Sequence, residues 1–178
     1  MVSRRSSKME IEPQPKPTLI MPVGLPRSGK SSFFRQTIYS VVCPDEIRRY
    51  LGCFPFVAER EPEVWHIART MVNALFGSGA KIVILDATNI TAKRRAEWKS
   101  DKWLRCFYMF RTPAEVCLAR AVGDEHLIPV IHRMDAQKEW PTFTELEQNE
   151  QIIDVESHQG IIANSERFWR NDPAEATH

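Results

Sequence analysis

One short segment limits the possible folds of this chain more than any other part of its sequence. The run Gly24-Leu25-Pro26-Arg27-Ser28-Gly29-Lys30-Ser31 matches the pattern G-x-x-x-x-G-K-[ST] at every position. The apolar stretch 18–23 before it predicts a buried strand, and the residues from Lys30 to about 39 predict a helix. A strand, a glycine-rich turn and a helix in this order are the context that a phosphate-binding loop requires.

The residue types in this loop predict ATP and Mg²⁺ as its ligands. Gly24 and Gly29 let the backbone curl so that N–H groups face the β- and γ-phosphates, and the following helix adds its positive end. We expect Lys30 to bridge these phosphates and Ser31 to ligate Mg²⁺ through its hydroxyl. Arg27 is bulky for such a loop, and the sequence leaves open whether it contacts the nucleotide or solvent.

The remaining pattern of strands and helices predicts an α/β fold. Apolar runs separated by helical segments indicate βαβ units, and hence a mainly parallel sheet of roughly five strands with helices on both faces. Because Pro22 cannot donate to a strand ladder, we expect the first strand to end near Met21 or to be irregular there. The other strands are predicted at 40–43, 81–86, 104–110 and 152–155, and the other helices at about 45–51, 61–76, 91–99, from 112, and from 129 toward 140. Residues 112–115 also have the spacing of a capping box.

Composition and charge indicate one soluble domain without a strong electrostatic preference. The chain has 178 residues with 24 Lys and Arg against 23 Asp and Glu, which lacks the basic excess typical of many nucleic-acid-binding proteins. We predict a flexible arm over 1–17, a domain over 18–156 and a C-terminal extension over 157–178. Four cysteines without metal-site spacing, and no apolar run of transmembrane length, favour the cytoplasm over a membrane or a secreted location. Nothing in the sequence indicates an oligomeric state.

Polar residues at two predicted strand ends are candidates for the acceptor side of a phosphoryl transfer. Asp45 and Arg48 would share one face of a helical turn, where a carboxylate can take the proton of an attacking hydroxyl and an arginine can hold a nearby phosphate. A helix cap with a surface arginine is the alternative, and spacing alone favours it. Asp86 could hold a metal-bound water, orient Arg48, or simply form a turn.

Several of these segments, in this order, resemble the kinase domain of the phage-type polynucleotide 5′-hydroxyl kinases and their small P-loop kinase relatives. The resemblance covers about residues 18–156. Its motifs are the loop through Ser32, the pair Asp45-x-x-Arg48, the segment 85–89 followed by Arg94, Arg95 and Trp98, and the stretch 141–152.

The resemblance implies a P-loop kinase fold with a helical lid, and it implies roles for individual residues. Asp45 would be the general base for the 5′-hydroxyl, Arg48 would bind the phosphate beside it, and Asp86 would be functional too. Lids in this family usually carry two arginines four residues apart. Here Arg120 matches the first and is expected to contact ATP, but the second position falls near Asp124, so Arg120 or Arg133 would have to replace the missing charge.

The leading hypothesis is therefore an ATP- and Mg²⁺-dependent kinase acting on the 5′-hydroxyl of a polynucleotide. One alternative keeps the chemistry but changes the acceptor to a hydroxymethylated DNA base, a nucleoside or a small metabolite. Another is an ATP-binding regulatory module with little turnover, which the altered lid makes plausible.

Overall fold

The structure is a computed structural model, and it describes residues 15–35, 37–54 and 56–155. The predicted C-terminal extension and all but residues 15–17 of the predicted N-terminal arm lie outside the described residues. No helix within the described ranges is both long and apolar enough to cross a membrane.

Five parallel strands form the central sheet, in the order β2-β3-β1-β4-β5. Their bounds are Thr18–Val23 (β1), Ser40–Val42 (β2), Ile82–Leu85 (β3), Leu104–Phe110 (β4) and Gln151–Val155 (β5). The chain winds to one side of β1 as far as β3 and then crosses to the other side. Ligands of open parallel sheets bind beyond the strands' carboxyl ends at such a change of direction. The predicted α/β class and strand number are confirmed.

In the part of the chain that the structure describes, six α-helices connect these strands. They are Lys30–Phe34 (α1), Pro44–Tyr50 (α2), Glu61–Gly77 (α3), Ala92–Ala96 (α4), Ala114–Ala119 (α5) and Ile128–Gln137 (α6). Short 3₁₀ turns lie at Ala58–Arg60, Glu125–Leu127 and Phe143–Glu145. Pro occupies the first turn of α2, α3 and α6, where its missing N–H has no intrahelical partner to lose.

Alternate residues of β1 supply two separate cores, one on each face of the sheet. Leu19 and Met21 join the larger core, which the buried side chains of α3, α5 and α6 cover. Ile20 joins the smaller core with Phe33 and Phe34 of α1. Burial of each such side chain contributes about 1.5–3 kcal/mol. Apolar packing on both faces explains the predicted three-layer arrangement.

The first strand does not end before Pro22, contrary to the prediction. It continues to Val23, paired with β4 along its whole length, whereas its pairing with β3 stops at Ile20. Beyond that point the side-chain amide of Asn89 donates to the Pro22 carbonyl at 2.9 Å. The proline is tolerated because it lies past the end of the β1–β3 ladder, where its missing N–H interrupts no pairing.

Three predicted helix features are wrong. Helix α1 ends at Phe34 rather than near 39, and the Thr37 hydroxyl accepts a hydrogen bond from the Tyr39 N–H at 3.2 Å, a local bond that competes with helix. Helix α4 ends at Ala96 rather than near 99. The capping box at 112–115 does not form, because Thr112 donates its hydroxyl proton to the carbonyl of Ser28 at 2.9 Å instead.

Two ion pairs with buried arginines fix the segment between α6 and β5, one to β4 of the sheet and the other to α4. Arg105 on β4 is 1% exposed and donates to both carboxylate oxygens of Glu150, at 2.7 and 2.6 Å. Arg95 of α4 is fully buried and binds Glu145 through two nitrogens, at 2.9 and 2.7 Å. Since each arginine is bound at two points, the geometry of both pairs is tightly determined.

Candidate nucleotide- and acceptor-binding site

The predicted phosphate loop lies between β1 and α1, at the carboxyl edge of the sheet. Gly24 is pressed against the end of β4: a Cβ atom there would lie 2.8 Å from the carbonyl oxygen of Phe110 and 2.8 Å from Oγ of Ser28. Gly29 has a φ of 103°, which glycine adopts without strain. The two glycines are therefore required for different reasons, the first by space and the second by backbone conformation.

Lys30 is buried within the loop. Its ammonium donates to the carbonyls of Gly24 and Leu25 at 2.9 and 2.6 Å, and to Oγ of Ser28 at 3.2 Å. Burial lowers the pKa of Lys30 to about 8, although the carboxylate of Asp86 works in the opposite direction. A lysine held inside the loop with a pKa near neutrality can respond strongly to a bound anion.

Ser31 and Asp86 come together from the first turn of α1 and the end of β3. The Ser31 hydroxyl hydrogen-bonds to the Asp86 carboxylate, and burial raises the pKa of Asp86 against the effects of that bond and of Lys30. Mg²⁺ is usually held by one or two protein oxygens together with phosphates and water. A hydroxyl next to a carboxylate at the edge of a phosphate loop fits that set of ligands. Within the described ranges no cluster of three or more His, Cys, Asp or Glu side chains is placed to hold a metal on its own.

Arg27 contacts the segment that follows α5, which is a third possibility beside the two that the sequence left open. We define the lid segment as residues 120–127, which follow α5. The Arg27 guanidinium forms an ion pair with Asp124, and the Arg27 carbonyl accepts a hydrogen bond from Nη1 of Arg120 at 3.2 Å. Together with the bond from Thr112, just before α5, to Ser28, these contacts join the loop to the two ends of α5 at three points.

Asp45 and Arg48 lie together on α2, as their spacing predicts. Nη1 of Arg48 donates to Oδ1 of Asp45 at 2.5 Å, and the Asp45 side chain is 58% exposed while that of Arg48 is only 12% exposed. Asp45 is close enough to act electrostatically on both Lys30 and Asp86. The ends of β2 and β3 are also joined directly, since the Asp86 N–H donates to the Val42 carbonyl at 2.9 Å.

Glu61, at the start of α3, orients Arg48. Its two carboxylate oxygens accept from Nε and Nη2 of Arg48 at 2.7 and 2.8 Å, and Oε2 also accepts from the indole N–H of Trp65 at 2.9 Å. Partial burial is the largest single influence and acts to raise the pKa of Glu61, but the hydrogen bonds and charge of Arg48, the Trp65 hydrogen bond and the charge of Arg94 together outweigh it and lower that pKa. Among the described residues the partners of Arg48 are Glu61 and Asp45, so Glu61 performs the orienting role that we considered for Asp86.

Arg48 keeps donors for a further anion in spite of these two partners. A guanidinium has five N–H donors, and Glu61 and Asp45 together accept three of them. One N–H remains on each of Nη1 and Nη2, the two nitrogens that form the end-on fork of an arginine. Arg48 can therefore still donate to a phosphate oxygen, and its binding of an acceptor phosphate stays a prediction.

The other arginines around this acceptor pair are neutralised. Arg49 forms an ion pair with Glu46, and Arg60 pairs with Glu63 at 2.8 Å. From Asp45 to Glu63 the sequence contains five acidic residues and three arginines. The segment 45–63, which carries Asp45 and Arg48, therefore lacks the excess positive charge that a long polyanion usually requires.

Some parts of this site were not found from the sequence. Glu61 was interpreted only as the start of a helix, and Asp124 only as a departure from the expected lid. Trp65, four residues after Glu61, is a local signal that the Glu61 carboxylate has a fixed partner. The contact of Glu61 with Arg48, in contrast, depends on how the loop between α2 and α3 folds. Arg133, the second lid candidate, forms no hydrogen bond or ion pair with the phosphate loop among the described residues.

Comparison with known proteins identifies the fold without identifying a family. No family model and no curated protein matches the chain. Two solved structures of a Pnkp1/Rnl/Hen1 complex match it with TM-scores of 0.54: one at 24% identity over 61% of this chain and 41% of the other, the second, an RNA repair complex, at 17% over 80% and 53%. This chain thus spans about half, or less, of the length of those chains.

Two smaller proteins match over nearly their whole length. APS kinase CysC of Mycobacterium tuberculosis, in complex with AMPPNP and APS, matches with a TM-score of 0.59 and 18% identity over 88% of this chain and 97% of the other. A sugar kinase from Janibacter sp. HTCC2649 matches with a TM-score of 0.59 and 18% identity over 92% and 99%. The chain therefore has the fold of the P-loop kinases.

Proposed function

We propose that this protein is an ATP-dependent phosphotransferase that transfers the γ-phosphate to a hydroxyl group, with the 5′-hydroxyl end of a polynucleotide as the leading acceptor. One observation carries the proposal. The phosphate loop with Lys30, the Ser31–Asp86 pair and the Asp45–Arg48 pair all lie at one edge of the sheet and interact electrostatically. This arrangement supports a phosphate donor site next to an acceptor site, in which Asp45 would be the base and Arg48 would bind an anion.

The phosphate loop would bind the triphosphate through its main-chain N–H groups and Lys30. To contact a phosphate, the Lys30 ammonium must exchange at least one of its three bonds within the loop. Ser31 and Asp86 would hold Mg²⁺, which supplies positive charge to the transferring group when it is bound. These interactions stabilise negative charge that develops on the phosphoryl oxygens and the leaving ADP.

Asp45 would act on the acceptor. Its Oδ1 is occupied by Arg48, and Oδ2 has no hydrogen bond to any described residue, so Oδ2 is the oxygen that can take the proton. As that proton leaves the hydroxyl, the hydroxyl oxygen forms a bond to the γ-phosphorus, and the bond from that phosphorus to the β–γ bridging oxygen breaks. The remaining N–H donors of Arg48 would hold a phosphate of the acceptor beside the reacting hydroxyl.

A small hydroxyl-bearing acceptor is the second candidate, and the charge around Asp45 favours it. The neutralised arginines and the acidic excess from Asp45 to Glu63 offer one anion-binding group, Arg48, rather than a basic track. The APS kinase and sugar kinase with this fold are named for small acceptors, in accord with this candidate.

An acceptor panel with γ-labelled ATP tests the proposal. We expect label on a 5′-hydroxyl oligonucleotide and on a nucleoside 3′-phosphate, much less on the same nucleoside without the phosphate, and none on a matched oligonucleotide that already carries a 5′-phosphate. Label only on a sugar, a nucleoside or a hydroxymethylated base would replace the leading acceptor with the second candidate. ATP binding without labelling of any acceptor would refute the phosphotransferase.

A further inference from the structure

The junction between the phosphate loop and the lid segment has a feature that the proposed chemistry does not use. An arginine of the loop, Arg27, is paired with an aspartate of the lid segment, Asp124. Neither side chain is buried, with exposed fractions of 44% and 37%. Exposed pairs contribute little to stability on their own, typically about 0–1 kcal/mol, so fold stability is a weak explanation for this one.

The backbone of Arg27 is strained at this junction. Its φ of 62° places it in the left-handed region, which costs a residue with a Cβ atom roughly 1–2 kcal/mol. Such a conformation persists only where the surroundings determine it. Here the hydrogen bond from Arg120 holds the Arg27 carbonyl while Asp124 holds its guanidinium, so both ends of the residue are fixed by the lid segment.

Asp124 places a negative charge near the phosphate loop, and Arg27 neutralises that charge. An unpaired carboxylate next to a loop that binds a triphosphate would repel it, and the repulsion between two unit charges 4 Å apart is about 1 kcal/mol even in water. Arg120, by contrast, is a cation, and its described hydrogen bond to Arg27 uses one of its five N–H donors. The described charged contacts of the lid segment with the loop are therefore made by one cation, Arg120, and one anion, Asp124, and Arg27 neutralises the anion.

We propose that Arg27 and Asp124 form an electrostatic clasp between the phosphate loop and the lid segment, in which Arg27 is the counter-ion of Asp124 and not a phosphate ligand. By cancelling the charge of Asp124, Arg27 lets the lid segment lie beside a bound triphosphate without repelling it, while Arg120 is held at the loop by its own hydrogen bond to the Arg27 carbonyl. The inference rests on the proposed binding of ATP at this loop.

If Arg27 is the counter-ion of Asp124, the two single substitutions should change ATP affinity by different amounts, whereas a mechanical bridge would make their effects equal. Arg27→Gln leaves the Asp124 carboxylate unpaired beside the triphosphate, so ATP affinity should fall about fivefold. Asp124→Asn removes the same ion pair but leaves no anion, and the change should stay below about twofold. The double variant should return to within about twofold of Asp124→Asn, and the loss in Arg27→Gln should shrink in high salt because exposed charges are screened.

Direct titration of each folded variant with a fluorescent ATP analogue measures these effects, with thermal melting as a check on folding. If the double variant binds as weakly as Arg27→Gln, then Arg27 contacts the nucleotide itself and the clasp is wrong. Equal losses in the two single variants, unaffected by salt, would mean a mechanical bridge and would also overturn it.

A charge exchange keeps the test decisive if Arg27→Gln does not fold. The variant with Arg27→Asp and Asp124→Arg restores the pair with reversed ends, and aspartate tolerates the left-handed conformation better than arginine. Binding within about threefold of the wild type supports the clasp, and complete loss overturns it. Failure of the wild type to bind ATP would instead refute the proposed function, whereas wild-type binding with no difference among variants would refute only the clasp.

Discussion

A rise in pH from 7 to 9 should weaken ATP binding through one group, Lys30. Burial of its ammonium among the loop carbonyls lowers the pKa of Lys30 to about 8. With that value, roughly nine-tenths of the free protein carries a charged Lys30 at pH 7 and roughly one-tenth at pH 9. Because the triphosphate needs the charged form, and is itself largely ionised over this range, the apparent association constant should fall about tenfold.

The same shift predicts that ATP binding takes up protons. A triphosphate beside Lys30 raises its pKa, so that the bound protein is protonated where the free protein is not. At pH 8 about half of the free molecules have a neutral Lys30, and binding should take up about half a proton per ATP. Isothermal titration calorimetry in buffers of different ionisation enthalpy measures this number directly.

Lys30→Met provides the control, because it removes the titrating group while keeping an unbranched side chain of similar length. Its weaker binding should show no proton uptake near pH 8. An affinity in the wild type that stays constant to pH 9, with no uptake at pH 8, would refute the reasoning. The effect on stability has the opposite sign: the unfolded chain keeps its proton up to about 10.5, so between about 8 and 10.5 this group makes the free energy of unfolding rise with pH.

Three further substitutions separate the roles of other acidic residues. Asp45→Asn should leave ATP affinity unchanged and lower turnover by about 10²-fold or more, and undiminished turnover would exclude it as the base. Glu61→Gln keeps the shape of the side chain but loses the charge that orients Arg48, so the KM for the acceptor should rise about tenfold at unchanged ATP affinity. Glu63→Gln, at an exposed position nearby, should change neither the acceptor KM nor the ATP affinity. Equal effects of the two substitutions on the acceptor KM would contradict the role of Glu61. Glu150→Gln leaves the charge of buried Arg105 without its carboxylate partner and should lower the free energy of unfolding by about 3 kcal/mol in denaturant titrations. Glu147→Gln, at an exposed position, should cost less than about 0.5 kcal/mol, and a loss below about 1 kcal/mol for Glu150→Gln would show that the pair is dispensable.

The local parts of this structure follow from the sequence, because short-range physics determines them. The phosphate loop is specified by glycine spacing and by its flanking strand and helix. Asp45 and Arg48 lie one helical turn apart, so they meet wherever α2 packs. Their association with a phosphate loop, however, depends on the parallel sheet bringing several strand ends to one edge.

Other parts depend on contacts between distant segments and were not predictable. Glu61 reaches Arg48 only because α3 folds back beside α2. The Arg27–Asp124 pair depends on where the chain after α5 returns to the loop. Pro22 misled the strand prediction for a related reason: whether a proline interrupts a ladder depends on how far the neighbouring strand extends, and β3 pairs with β1 only as far as Ile20.

The tight contact of Gly24 with the Phe110 carbonyl has a mechanical consequence. Since no methyl group fits between them, the entrance of the loop rests directly on the main chain of β4, without an intervening side chain that could yield. The height of the loop above the sheet is thus fixed by the spacing of two neighbouring strands. An alanine at this position would act as a wedge that pushes apart the ends of β1 and β4, and would misplace every amide that follows.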